Sequence, residues 1–99
     1  MNITNEACAY LQEQAKEFAN PILVVFQRVY RGWCGTEVVN VVAPADEEMI
    51  QDKDAFEVKK TEECKFPIYI DKRIGHLWGQ AKIDLAGWAA FKRLVLVEN

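Results

Sequence analysis

Two stretches dense in β-branched and aromatic residues, "ILVVFQRVY" (Ile22 to Tyr30) and "TEVVNVVA" (Thr36 to Ala43), flank the glycine-bounded segment "RGWCG". Such residues favour extended chain, and two such runs joined by a short glycine-containing loop read as an antiparallel hairpin. The hairpin commits the chain to sheet structure and leaves Arg31–Gly35 exposed at its tip. A chain of 99 residues must then build one domain with one modest core around that hairpin.

The other segments fit the same plan. Ala7, Cys8, Leu11, Ala15 and Phe18 recur at three and four, which predicts an amphipathic helix over Thr4–Phe18. Thr4 is its N-cap, Glu6 lies in its first turn and Asn20-Pro21 ends it. Cys8, inside the apolar stripe, is expected in the core. Phe56–Lys60 and Phe66–Ile70 alternate as strands do, joined by the polar turn "TEECK". Pro67 lacks a donor for the ladder and places the second of them at an edge or a bulge. Asp71 is expected to cap a short helix through Trp78, ended by Gly79. "KIDLAG" is short and extended, Gly87 marks a turn, and "WAAFKRLVLVEN" is the closing strand. The fold class expected is mostly β (α+β), a single domain over residues 1–99 with an N-terminal helix and one short helix.

Charge and composition exclude several functions. A formal net charge of −3 and a pI near 5.1 argue against nucleic acid as a partner. The apolar stretch Pro21–Phe26 is too short to span a bilayer. The N-terminus has no basic region ahead of an apolar one, so a cytoplasmic location is expected. Pro44–Asp54 holds five carboxylates, but without the one-three-five spacing and central glycine of a calcium loop, and reads as a solvated acidic connection. Three cysteines, odd in number and widely spaced, do not form a disulfide framework. No Cys-x-x-Cys pair points to a zinc ribbon or a thioredoxin-type site. His76 stands alone on its short helix and reads as a surface or half-buried residue. Asp71 and Asp84 read as a cap and a strand-end residue rather than as an acid–base pair.

Cys34 is the residue with chemistry in its surroundings. A thiolate is both a nucleophile and an iron ligand, and nearby positive charge lowers a thiol's pKa. Arg28, Arg31 and the amides of a glycine-rich loop are candidates for that field, while Gly32 and Gly35 allow a tight turn and close approach. The residues alone equally allow that the glycines only make the turn and Cys34 is a passenger. Cys64, in its polar turn, reads either as a second ligand or resolving thiol, or as an incidental exposed cysteine. Trp33, next to Cys34, is expected to be exposed and, with Arg31, to meet a partner.

The order of elements resembles the HesB/IscA-like family, the A-type iron–sulfur carriers. The resemblance runs from the Thr4-capped helix to the Gly32–Gly35 loop, where those carriers have Gly-Cys-Ser-Gly. It continues through the acidic connection, "YID" ending at Asp71, Leu77 and Gly79, the "x-I-D" ending at Asp84, and "AAFKRLVLVEN". It implies a HesB-like β pseudobarrel or sandwich. It also implies an iron–sulfur cluster or iron as cofactor through Cys34, with client or assembly proteins as partners; one chain offers Cys34 and, as a candidate second ligand, Cys64, and a two-fold homodimer is the simplest way to raise the number of thiolates. Of the family's thiolates only Cys34 carries over, because no Cys-Gly-Cys follows the last strand before Asn99. Trp33 replaces a small residue, and Gly35-Thr36 stands where Ser-Gly is usual. The chain is similar in this to shortened HesB-like relatives. Three function classes follow. The leading one is a non-enzymatic protein connected to iron–sulfur or thiol chemistry through Cys34. The second is a degenerate HesB-like interaction domain without metal binding. The third is a redox enzyme using Cys34 with Cys64.

Overall fold

The computed structural model describes residues 2–62 and 64–98. Seven strands form two sheets among them. The larger sheet is built on the hairpin of β2 (Pro21–Gly32) and β3 (Gly35–Asp46), which pair antiparallel along their full length from Pro21 opposite Asp46 to Gly32 opposite Gly35. Both strands outrun the expected ranges and enclose them. β5 (Ile68–Asp71) lies beside β2 and parallel to it, and β4 (Phe56–Lys59) closes the far edge antiparallel to β5. The smaller sheet holds β1 (Asn2–Ile3), β6 (Ala81–Ala86) and β7 (Arg93–Glu98), with β6 central.

The segment Ile22–Val25 is apolar at every position because the larger sheet is covered on both faces there, as is usual for strands in parallel pairings. Leu23 and Val25, with Val42, Ile68 and Ile70, face the main core, into which α1 (Asn5–Ala15) sends Ala7, Cys8 and Leu11 and the smaller sheet sends Ile3, Ala81, Ile83 and Leu94. Ile22 and Val24 point the other way, into a second cluster with Ala45 and Tyr69, backed by Phe26, Ile50 and Phe56.

Thr4 caps α1 as expected, accepting from the Ala7 amide at 3.3 Å, and its hydroxyl also donates to Asp84 at 2.9 Å. That bond ties the helix start to β6. The helix ends at Ala15, one turn short of the expected Phe18. β1 was not anticipated. Two residues are too few to carry a pattern, and their pairing beside Lys82 and Ile83 is set by the neighbouring β6. Asp71 caps the 3₁₀ segment Lys72–Gly79 through the Arg73 amide at 2.9 Å.

Three expectations need correction. Pro67 does not put its strand at an edge: β5 begins at Ile68 and runs between β2 and β4, and Pro67 ahead of it accepts from the Leu23 amide at 3.0 Å. The closing strand does not start at Trp88. Residues Ala89–Phe91 form a 3₁₀ turn and β7 begins at Arg93, while Asn99, its expected last residue, lies outside the described residues, as does Glu63 of the "TEECK" turn.

The third correction concerns the cysteines. Cys8 and Cys64 are joined as a disulfide, with Cα atoms 6.0 Å apart and a separation of 56 positions in sequence. Cys64 is buried rather than exposed. A polar turn in sequence gave no hint of this, because Cys64 tucks inward just before β5 enters the sheet and meets the buried face of α1.

Candidate functional site: a thiol at the tip of a β ribbon

β5 pairs with β2 only over Leu23–Val25. Beyond that point, Phe26–Gly32 and Gly35–Val41 continue as a two-stranded ribbon away from the core. Its end is the two-residue turn Trp33–Cys34, closed by the Gly32–Gly35 pair. Gly35 takes φ +125°, a region that residues with a Cβ rarely adopt, so a glycine at this position has a steric reason.

Cys34 is exposed and is the free cysteine of the chain, and Trp33 beside it is fully exposed. Arg31, Thr36, Glu37 and Tyr30 complete an open hollow of about 460 Å³ around them. Arg31 therefore shares the tip with Cys34. Arg28 does not: its guanidinium lies 5.6 Å from the Phe26 ring centroid and 6.0 Å from that of Tyr30, and it donates to the Tyr30 hydroxyl at 3.4 Å. That stack stiffens one face of the ribbon. On the other face Val29 and Val38 are directly opposite and exposed.

The structure brings Arg31, Trp33 and Cys34 together and leaves Cys64 elsewhere. Cys64 belongs to the main core and is bonded to Cys8, so in this state its sulfur offers no thiolate to a metal or to Cys34. Among the described residues, no group of three or more His, Cys, Asp or Glu side chains converges to hold a metal ion. His76 is exposed.

The two aspartates singled out in the sequence, Asp71 and Asp84, serve the frame. Asp71 is buried, and the Arg73 side chain, which donates from Nε at 3.0 Å and Nη2 at 2.6 Å, holds it below the usual carboxylate range. Arg73 also donates to the Gln27 carbonyl at 3.3 Å, which links the start of the ribbon to β5. Asp84 is likewise lowered, first by the Leu85 amide and then by Thr4. Sequence reasoning missed the Arg73 bridge, for which the spacing Asp71-x-Arg73 was the available signal.

No protein-family model and no curated protein matches the chain in sequence. In structure it is similar to SufA of Escherichia coli, a protein involved in the biosynthesis of iron–sulfur clusters. The TM-score is 0.62 at 10% sequence identity, over 98% of this chain and 78% of SufA. No helix among the described residues is long and apolar enough to cross a membrane. The chain thus has the HesB-like fold that the residues from Thr4 to the closing strand imply.

Proposed function

We propose that this is a non-enzymatic HesB/IscA-like protein connected to iron–sulfur or thiol chemistry through Cys34. The observation that carries the reading is the placement of one free, exposed thiol at the end of a projecting ribbon on a SufA-like fold. The residues present do not make a complete cluster site. An all-thiolate two-iron cluster takes four cysteines, and with Cys8 and Cys64 bonded together one chain supplies Cys34 alone. Cys34 therefore acts as one shared ligand, the others coming from a second copy of this chain and from a client or assembly protein that meets Arg31 and Trp33. Iron or a cluster is cargo in this reading.

Anaerobic incubation with ferrous iron, sulfide and a small thiol tests it. A coloured product with sulfur-to-iron charge-transfer absorption is expected in the wild type and lost in Cys34→Ser. A wild-type protein that stays colourless overturns the carrier reading. The interaction-domain reading, favoured by the full exposure of Trp33, then stands in its place. The proposed compartment is the cytoplasm. Disulfides there are rare and mostly transient or redox-sensing, and trapping thiols at lysis measures what fraction of the Cys8–Cys64 bond exists in the cell.

A further inference from the structure

The two edges of the larger sheet differ. β4 is four residues long and ends in Lys59, with Lys60 following. A short, charged edge of that kind resists further pairing. β3 is twelve residues long and keeps its register on β2 without a bulge from Gly35 to Asp46. Over Thr36–Val42 it contains neither lysine nor proline. In an antiparallel pair, alternate residues turn their backbone groups toward the partner strand and away from it. The alternation is fixed on β2, where the Leu23 amide donates to Pro67 and the Gln27 carbonyl accepts from Arg73, both on the side of β5. Opposite that series, Thr36, Val38 and Asn40 of β3 turn their backbone groups outward. None of the three has a backbone partner on that side among the described residues. Val42 continues the series where β3 enters the core, and Pro44, without an amide hydrogen, ends it.

The surroundings of this edge carry a charge and an apolar contact. Its inner end opens on a hollow of about 450 Å³ between Val39–Val42 and Arg93–Leu96 of β7, which faces β3 without pairing to it. Lys92 and Arg93 are exposed and make no ion pair among the described residues. Val38 is 54% exposed beside the equally open Val29. By alternation Thr36, Val38, Asn40 and Val42 share one face, the face on which Val42 and Leu94 meet in the core and β7 lies. A ribbon of two strands is marginally stable in water, and a third strand over an apolar face is what steadies such a unit.

We propose that β3 takes up an extended segment of a different protein as an added strand along Thr36–Asn40, with an apolar side chain beside Val38 and a carboxylate toward Lys92 and Arg93. In strand addition the main-chain bonds supply affinity, and the side chains at alternate positions supply selectivity. A second copy of this chain fits less well. Antiparallel pairing of two β3 edges about a two-fold axis keeps like faces together. The face shared with β7 would then receive Thr36, Val38 and Asn40 but no carboxylate, since Glu37 lies on the other face. Lys92 and Arg93 would stay unanswered. The partner is the client or assembly protein of the function proposed above, but the pairing needs neither iron nor Cys34 and stands without them.

Amide exchange of the isotope-labelled full chain, read by nuclear magnetic resonance without iron, tests this with short synthetic peptides as probes. In the probes valine and threonine alternate, with aspartates at the N-terminal end in one and at the C-terminal end in the other. One of them is expected to protect the amides of Thr36, Val38 and Asn40, which exchange freely without it. N-methylation of that peptide at one set of alternate amides should abolish binding, and at the other set should leave it. Val38→Pro removes an outward donor while keeping the ladder to β2, and should weaken binding about fivefold or more, as loss of a backbone bond does. Arg93→Glu should turn the preference from aspartate probes to otherwise identical lysine probes. Circular dichroism checks the fold of both variants. Unprotected Thr36, Val38 and Asn40 amides at millimolar peptide overturn the proposal, and so does equal binding of the two N-methylated forms. Protection of the same amides that rises with protein concentration alone would give the edge to a second copy and overturn it equally.

Discussion

Breaking the Cys8–Cys64 bond should remove a large part of the stability of this domain. The bond joins residues 56 apart, and in the chain-entropy treatment a closed loop of that length is worth about 4 kcal/mol at 25 °C. Total stabilities of small domains are roughly 5–15 kcal/mol, so reduction should shift the urea midpoint far to the left. A cycle of Cys8→Ala, Cys64→Ala and the double variant separates the bond from simple packing. If the sulfurs are bonded, either single change forfeits the whole link. The double change then costs little more than one of them, which gives a coupling close to the full loop term. If they only pack side by side, the coupling should be smaller, within the roughly 0.5–3 kcal/mol usual for residues in contact. Thiol titration in denaturant without reductant should find one reactive group per chain, Cys34, and three after reduction. Three reactive thiols in air-exposed protein, or additive single costs, would refute the reasoning.

Other perturbations test the frame and the tip. The folded pKa of Asp71 lies below its ordinary value of 3.8 chiefly because Arg73 donates to it. The associated stability is therefore present above that value and lost as pH falls through the folded one. Arg73→Gln should move the midpoint of acid unfolding to higher pH and lower stability at neutrality, as read by circular dichroism. Gly87→Ala forces a Cβ into the left-handed region and onto the Phe91 carbonyl. At about 1–2 kcal/mol for the backbone alone, the melting temperature should fall by at least roughly 4–8 °C for a domain of this size; no fall would contradict the turn geometry. Amide exchange should be slow at Leu23–Val25 and several orders faster at Val29–Arg31 in the same strand, and uniform protection along β2 would deny the ribbon its separate mobility.

Where the signal was local, the sequence could be read. The hairpin, its exposed tip, the Thr4 cap and the Asp71 cap all depend on residues a few positions apart, whose backbone preferences act whatever surrounds them. The pieces that escaped are those decided by tertiary neighbours. β1 exists because β6 offers an edge. Pro67 could be tolerated next to a central strand because it falls one residue before the ladder begins. The pairing of Cys8 with Cys64 needed the knowledge that β5 slots between β2 and β4, which places the preceding loop beneath α1. At the site, Cys34, Trp33 and Arg31 were legible as a cluster because they are contiguous. Arg28 was misplaced because alternation sends it to a face of the ribbon where Phe26 and Tyr30 flank it.

The physical separation between core and tip explains how an exposed thiol can be carried here at all. A cysteine that must reach another protein's metal or sulfur has to be exposed, and the chain near it has to tolerate displacement. A central strand cannot do this, since its ladder and both covered faces resist movement. β2 meets the conflict by changing character along its length. Over Leu23–Val25 it is paired with a strand on both sides and buried, and from Phe26 outward its only strand partner is β3. A two-stranded ribbon is marginally stable in water by itself. This one is held by the anchored end of β2, by the Arg28 stack and by the bond from Arg73 to the Gln27 carbonyl. Opening of its last few pairs exposes only limited buried apolar surface, because Val29, Tyr30 and Val38 are already about half exposed. The tip can therefore bend toward a partner at a small fraction of the cost of unfolding. Substitutions at Cys34 and Trp33 should alter what the protein meets while leaving its stability nearly unchanged.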